Sequence, residues 1–222
     1  MYLPKFNQVD DIGQLHGFIR QQPFDAWSTL ANGEISVNHI PFMLSENNDK
    51  HKDGAHNQNT SEYGTLVGHV ARANPIWQEF STTQDSVIVF QGAQAYISPS
   101  WYPSKHQHGK TVPTWIYVIV QARGIPTAIT DKQWLLQHVQ ELTNHQESGL
   151  SLPWSVSDAP QEYIDKLING IVGIEIPLTK LTAKFKLGQN CSQEDKLGVV
   201  NGLVTSEHPP SQLLLRIHTK FV

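Results

Sequence analysis

The sequence predicts a mainly β protein with some α-helix, built as a β-barrel or a β-sandwich with helices packed around it. Two observations predict this fold class. Short strand-like runs fill most of the first two thirds of the chain, and they do not alternate with helices as a parallel sheet would require. Three amphipathic helical segments then follow residue 130. We expect a barrel that forms one domain over residues 1–222, with peripheral helical segments at 131–170 and 192–222.

The first third begins with a short helix and a hairpin. Asp10 or Asp11 can cap a helix whose apolar residues share one face, namely Ile12, Leu15, Phe18 and Ile19. Two strand-like runs follow at 26–31 and 34–44. Asn32-Gly33 joins them and predicts a type I′ turn, because both residues tolerate a positive φ. Residues 45–63 are polar and predict a mobile surface excursion.

Strands dominate the middle third and alternate with helices in the last. Strand-like runs lie at 64–71, 86–91, 95–98, 113–123, 127–129, 171–176 and 181–187. A helical turn is expected at 74–80, and a loop with His106 and His108 precedes the long run at 113–123. Helices are predicted at 131–147, at 160–168 with a cap from Ser157 or Asp158, and at 193–204. Ser192 is the expected cap of the last helix, and Pro209-Pro210 lies beyond its end.

Charge and cysteine content limit the partners and the compartment. The formal net charge is −4, whereas proteins that bind phosphate backbones non-specifically usually carry a basic excess. DNA therefore stays open as a partner without support from the sequence. Cys191 is the only cysteine, no secretory signal opens the chain, and no apolar run approaches the roughly 18 residues of a membrane span. We expect a cytoplasmic protein that has no membrane partner.

Motifs spread over nearly the whole chain are more specific than composition. They are the opening Tyr2-x-Pro4-x-x-Phe6, Gly68-His69-Val70-Ala71-Arg72-Ala73-Asn74-Pro75-Ile76-Trp77, residues 89–102, Val112-Pro113-Thr114-Trp115-Ile116-Tyr117, residues 170–176 and Lys184-Phe185-Lys186-Leu187-Gly188-Gln189-Asn190. In this order they closely resemble the PaiB family, which is described as FMN-binding negative transcriptional regulators.

The resemblance implies an FMN-binding split β-barrel, related to pyridoxamine-phosphate oxidases, in which two chains form a homodimer with FMN at their interface. It also implies a negative transcriptional regulator, although no helix-turn-helix or basic recognition helix is visible in the sequence. The chain departs from the family pattern at a few motif positions. Gln94 stands in place of His and Ala93 in place of Pro, Ile116 replaces Asn, and Gly188 and Cys191 replace Ser and Arg.

Arg72 is the best candidate for the phosphate of FMN. A flavin site needs at least one cationic group for the phosphate, several neutral donors and apolar or aromatic cover for the ring. Arg72 lies at a predicted strand-to-helix junction, where backbone N–H groups are also available, and the turn from Asn74 adds its dipole. The alternative is a surface arginine that pairs with Glu79 or Asp85.

Several other residues are candidates for the same ligand. His69 could donate to a phosphate or a flavin carbonyl, or could be a buried histidine bonded to backbone, and His39 has the same two interpretations. The loop histidines His51, His56, His106 and His108 lack the carboxylate or cysteine ligands typical of a metal site. No metal is expected, and the candidate cofactor-binding residues are His39, His69, Ala71, Arg72, Ala73, Asn74, Gln91, Tyr96, Ser98, Lys110, Thr114 and Trp115.

Catalytic machinery of the chain's own is not apparent. No nucleophile–base pair has usable spacing, Cys191 lies near acidic residues, and no Gly-x-Gly-x-x-Gly motif follows a strand. Lys186, Gln189 and Asn190 are interpreted as structural or ring-edge contacts. The favoured hypothesis is an FMN-binding regulator of the PaiB type. The alternative is an FMN-dependent oxidoreductase of a small substrate, in which the flavin would carry the electrons.

Overall fold

The computed structural model describes residues 1–45 and 61–206, which fall into two compact units. Among the described residues, unit 1 comprises 1–15, 91–120 and 182–206, and unit 2 comprises 16–45, 61–90 and 121–181. The surface excursion at 45–63 lies mostly outside the described residues, as do His51, His56 and Pro209-Pro210. Among the helices of the described ranges, none is long and apolar enough to cross a membrane.

The predicted fold class, mainly β with α, is confirmed. The strands are β1 (Gln8–Val9), β2 (Phe24–Ala31), β3 (Glu34–Pro41), β4 (Met43–Ser45), β5 (Thr65–Ala71), β6 (Ser86–Ile97), β7 (Thr114–Gly124), β8 (Thr127–Ile129) and β9 (Ile171–Lys186). The helices are α1 (Ile12–Gln21), α2 (Ile76–Glu79), α3 (Ser104–His108), α4 (Lys132–Glu147), α5 (Gln161–Asn169) and α6 (Gln193–Thr205). The strand order is β3-β2-β6-β7-β9-β5-β4, and β1 and β8 also pair with β9.

The hairpin of unit 2 forms where the Asn-Gly dipeptide predicts it. β2 and β3 are antiparallel, and Ala31 pairs with Glu34 across a two-residue loop. Asn32 has φ 51° and Gly33 has φ 86°, which is the left-handed conformation that a type I′ turn requires. The second strand ends at Pro41, and β4 then begins at Met43, so the single run predicted at 34–44 is two strands.

Two long strands were each predicted as two short ones. β6 is continuous, but its buried positions shift phase at Gly92: Phe90 is buried, and the next buried residues are Ala93 and Ala95. This break in the two-residue alternation made one strand look like two in the sequence. β9 is also continuous. Its residue Pro177 lies opposite Thr65 at the end of the ladder with β5, where a missing N–H interrupts little pairing.

Helix boundaries follow their caps. The Asp11 Oδ1 atom accepts from the Gln14 amide at 2.6 Å, which confirms one predicted cap, and Ser192 caps α6 as predicted by accepting from the Asp195 amide. The cap predicted for the helix at 160–168 is wrong. Asp158 instead closes a 3-10 turn at Val156–Asp158, where its Oδ2 atom accepts from the Ser155 amide, and α5 begins only after Pro160.

Each unit has its own buried contacts. In unit 2, Trp27 is fully buried and meets the rings of Phe42 and Phe80 edge-on, and α4 and α5 enclose a second cluster of Leu135, Val156, Ile164 and Ile168. In unit 1, α6 presents Gly198 and Gly202 to Trp101. A Cβ atom at either glycine would overlap Trp101, so the glycines permit this close approach.

Candidate functional site

A cavity of about 750 Å³ lies within unit 1. Its walls come from the N-terminal residues 2–7, from residues 102–117 around α3 and the start of β7, and from residues 184–199 at the end of β9 and the start of α6. The volume falls within the range of roughly 300–1,000 Å³ that small-molecule sites occupy. Three of the sequence motifs described above therefore meet around one space.

Two lysines on β9 are held in place by neutral groups. Lys184 and Lys186 are two residues apart, so they project from the same face of the strand. The Lys186 Nζ atom donates to Thr114 Oγ1 at 2.6 Å and lies 5.9 Å from the ring centroid of Tyr117. The Lys184 Nζ atom donates to the Tyr2 carbonyl at 3.1 Å and lies 5.6 Å from the rings of Tyr2 and Tyr117. These contacts orient two positive charges without neutralising them.

The lining of the cavity is cationic. Among the described residues that line the cavity, Lys110 and Lys196 bring the number of lysines to four, and Asp195 is the single carboxylate. Both oxygens of Asp195 are occupied, because they accept from the amide and the hydroxyl of Ser104 at 3.1 and 2.8 Å. The surplus of positive charge favours an anionic ligand.

The nucleophilic groups of the cavity are protonated at neutral pH. Burial raises the pKa of Tyr102 to about 12, and the neighbouring Cys191 and Asp195 act in the same direction. Burial also raises the pKa of the Cys191 thiol, with a further contribution from Asp195. Tyr102 therefore offers an O–H donor to the cavity, and Cys191 is a poor nucleophile.

The candidate phosphate clamp, Arg72, binds the chain's own backbone. Its Nε atom donates to the Asn169 carbonyl at 2.7 Å and its Nη2 atom to the Ile171 carbonyl at 2.9 Å. The guanidinium also lies 6.0 Å from the ring centroid of Trp77. Within the described ranges, these contacts replace the alternative pairing with Glu79 or Asp85. The residue is exposed at the end of β5, so part of its guanidinium stays accessible.

The neighbours of Arg72 in the motif are only partly available to a ligand. The Asn74 side chain is engaged, because its Nδ2 atom donates to Asn38 and its Oδ1 atom accepts from the Ile76 amide. Ala71 and Ala73 are exposed. The helical turn predicted at 74–80 is shorter in the structure, since α2 spans only four residues.

Two of the candidate histidines lie in different environments. His39 is exposed on β3, with its ring 6.3 Å from that of Phe24. The Nδ1 atom of His69 lies 3.1 Å from the Nε2 atom of His138, whose ring stacks on Trp134. Burial lowers the pKa of His69, and burial together with His69 lowers the pKa of His138 to about 4. The pair is therefore neutral at pH 7.

The remaining candidates lie in unit 1. Lys110 and Thr114 line the cavity. Tyr96 and Trp115 pack edge-on, with ring centroids 6.1 Å apart, and remain 50% and 53% exposed. Ser98 accepts from the Ser100 amide at the start of a 3-10 turn, and Gln91 is exposed on β6. Sequence reasoning gave Tyr2, Lys184 and Lys196 no role, although a Lys-Phe-Lys alternation on a strand already places two ammonium groups on one face.

The histidines of α3 form no metal-ligand cluster with other described residues. In the part of the chain that the structure describes, no group of three or more His, Cys, Asp or Glu side chains converges as metal ligands would. His106 and His108 lie on α3, which was predicted as a loop, and the His108 Nδ1 atom accepts from the Lys110 amide at 3.0 Å.

Comparison with known proteins gives a family match and full-length relatives. The family model described as "Putative FMN-binding domain" matches residues 1–180. The protease synthase and sporulation protein PAI 2 of Bacillus subtilis is 26% identical, over 98% of this chain and 96% of its own length. An uncharacterized protein of Aspergillus fumigatus is 32% identical, over 91% of this chain and 90% of its own.

Solved structures share the fold at low sequence identity. A flavocytochrome from Azotobacter vinelandii matches with a TM-score of 0.57 and 11% identity, over 88% of this chain and 78% of the other. An FAD and heme binding protein from Mycobacterium smegmatis matches with the same TM-score and identity, over 82% and 74%. These likenesses confirm the split-barrel fold class.

Proposed function

Because the chain belongs to the PaiB family of FMN-binding domains, we propose that FMN binds in the lysine-rich cavity of unit 1. The observation that carries this proposal is the pair of ammonium groups on β9, Lys184 and Lys186, held at the wall of a 750 Å³ cavity by neutral acceptors and tyrosine rings. Bound FMN would supply one- and two-electron transfer.

The groups that line the cavity fit the two ends of FMN. A phosphate monoester carries about −1.5 to −2 charges at pH 7 and needs charge-assisted hydrogen bonds, which Lys184 and Lys186 can donate. A flat ring system needs apolar and aromatic cover, which Tyr2 and Tyr117 offer on the same wall.

Two chains are proposed to pair around the flavin. The exposed rings of Tyr96 and Trp115 support association, because they form one aromatic pair and aromatic side chains are enriched at protein interfaces. In such a dimer the exposed candidates of unit 2, His39 and Arg72, are available to the flavin of the partner chain.

We propose that the output of flavin binding is regulatory, as a negative transcriptional regulator of the PaiB type. Two observations support this role over catalysis: the family membership, and the protonated state of Cys191 and Tyr102 in the cavity. The net charge of −4 argues against extensive contact with DNA phosphates, so any repression would involve few direct DNA contacts or a partner protein.

An FMN-dependent oxidoreductase is the second candidate function. The cavity volume favours it, because 750 Å³ lies in the upper part of the range for small-molecule sites and leaves room for a substrate next to a flavin. Stopped-flow mixing of the FMN-loaded protein with NADH or NADPH tests this function. Bleaching of the flavin absorbance would support it, and a stable oxidised spectrum with both donors would leave flavin binding without this chemistry.

Quenching of FMN fluorescence tests the flavin site itself. Substitution Lys186→Ala removes one charge-assisted hydrogen bond, so we expect FMN binding to weaken by about 1.5–3 kcal/mol, which is roughly 10- to 150-fold in Kd. Lys180→Ala, an exposed lysine on β9 in unit 2, is the matched control and should change little.

The same titration tests the phosphate contact predicted at Arg72. Arg72→Ala is expected to weaken FMN binding by about 1.5–3 kcal/mol if Arg72 contacts the phosphate of the FMN that the partner chain binds. Loss of binding in Arg72→Ala but not in Lys186→Ala would move the phosphate to the end of β5. An unchanged fluorescence on mixing FMN with the wild-type chain would refute the flavin proposal altogether.

A further inference from the structure

The four lysines of the unit 1 cavity fall into two pairs that differ in their hydrogen bonds. Lys184 and Lys186 bond to Tyr2 and Thr114. By contrast, the ammonium groups of Lys110 and Lys196 make no hydrogen bond within the described part of the chain, although both side chains line the same space.

The charges of the lining do not balance with FMN alone. On the function proposed above, the phosphate supplies at most two negative charges, which Lys184 and Lys186 offset. Asp195 is the one carboxylate among the described lining residues, and it offsets the charge of one further lysine, although Ser104 occupies both of its oxygens. Lys110 and Lys196 together therefore leave one positive charge in a cavity whose low dielectric walls strengthen electrostatic attraction.

We propose that the FMN-loaded cavity binds a second ligand, a small organic monocarboxylate with an apolar or aromatic body, through the ammonium groups of Lys110 and Lys196. This inference rests on the proposed function. One carboxylate matches the residual charge, whereas a second phosphate or a dinucleotide would bring an excess of negative charge.

The uncharged part of the lining indicates the rest of the ligand. Phe6, Val112 and Val199 offer apolar contact, and the Tyr102 hydroxyl offers a donor to a carboxylate oxygen. A carboxylate whose two oxygens accept from an ammonium and a phenol, next to an apolar body, is the arrangement that these side chains can satisfy together.

Difference spectroscopy of the bound flavin tests this second site. FMN-loaded protein is titrated with benzoate and, as a neutral isostere, with benzamide, at constant ionic strength. We expect benzoate to perturb the flavin absorbance with an affinity at least tenfold higher than that of benzamide. The double variant Lys110→Gln/Lys196→Gln should weaken benzoate binding by a larger factor than it weakens FMN binding, and Lys180→Gln should alter neither.

The outcomes separate this inference from the flavin proposal. If FMN itself fails to bind the wild-type protein, the flavin site and the second site are both refuted. If FMN binds but benzoate and benzamide perturb the spectrum equally, or if the double variant weakens FMN and benzoate by the same factor, only the separate carboxylate site is refuted.

Discussion

The half-buried His69 and the buried His138 show how a single hydrogen bond fixes a protonation state. The Nδ1 atom of His69 faces the Nε2 atom of His138, so one nitrogen must carry the proton and the other must accept it. The ring of His138 is 3% exposed, and its Nδ1 atom has no partner among the described residues. A proton added to this pair would create a charged imidazolium at a buried position. The Nδ1–H group of His138 would then have no hydrogen-bond acceptor among the described residues.

The histidine pair makes stability depend on pH. Because the pKa of His138 falls to about 4 in the folded chain, the unfolded chain binds more protons between about pH 4 and the ordinary histidine pKa of 6.5. Stability should therefore decrease as the pH falls through this window, by up to about 1.4 kcal/mol per pH unit for one group. Urea unfolding at pH 7 and pH 5 measures the effect.

Variants of the same helix identify the group responsible. His138→Phe removes the titrating ring and should flatten the pH dependence, at some cost in stability at pH 7. His145→Gln, at an exposed position of α4, should leave the slope unchanged. An identical slope in His138→Phe and wild type would contradict the assignment.

The lysines of the cavity mark a limit of sequence reasoning at this scale. Lys186 was predicted to make a structural or ring-edge contact, but its contact with Thr114 was not predicted. The two residues lie 72 positions apart in the chain. Nothing local in the sequence states that β7 and β9 become neighbours. Sequence reasoning identified Lys110 and Thr114, but it could not bring them together with Lys184, Tyr2 and Lys196.

At the scale of elements, local chemistry predicted turns and caps better than strand continuity. Asn32-Gly33 determines its turn by backbone sterics alone, and Asp11 and Ser192 cap helices by bonds that span three residues. By contrast, the continuity of β6 and β9 depends on partner strands that supply hydrogen bonds across the phase change at Gly92 and past Pro177. Such long-range pairing cannot be predicted from the local sequence pattern.

Gly124 lets β7 and β9 approach within unit 2. A Cβ atom at this position would lie 2.3 Å from the Pro177 carbonyl oxygen, and backbone cannot move aside as a side chain can. Gly124→Ala should therefore destabilise the protein by about 1–3 kcal/mol or more. Urea unfolding measures the change.

Gly17 provides the control for that substitution. It lies inside α1, and a Cβ atom there would have no neighbour within 4 Å. Gly17→Ala should therefore stabilise the chain by up to about 1 kcal/mol through helix propensity. Equal stability of Gly124→Ala and wild type would show that the two strands can separate at low cost.

At the scale of the whole molecule, the family predicted from six spaced motifs is confirmed over nearly the full length of the chain. The fold itself is shared with solved structures that are only 11% identical in sequence. The homodimer stays a prediction, because the sequence of one chain does not by itself identify the surface that contacts a second chain.

Self-association is measurable on the intact chain. Sedimentation equilibrium should give twice the monomer mass of 24.9 kDa. Trp115→Ser should shift the protein toward monomer, because it removes one of the two exposed rings proposed to pair. Trp154→Ser, which alters a 45% exposed tryptophan of unit 2, is the matched control. A monomeric mass at all concentrations would refute the homodimer.

Arg72 couples any anion at the end of β5 to the turn that follows α5. Two of its five N–H groups hold the carbonyls of Asn169 and Ile171, and its own amide donates to Gly170. An anion that recruited those two donors would release both carbonyls and loosen the segment between helix and strand. Deuterium uptake at the Arg72 amide would then rise on ligand binding, so this turn can serve as an internal gauge of where the phosphate goes.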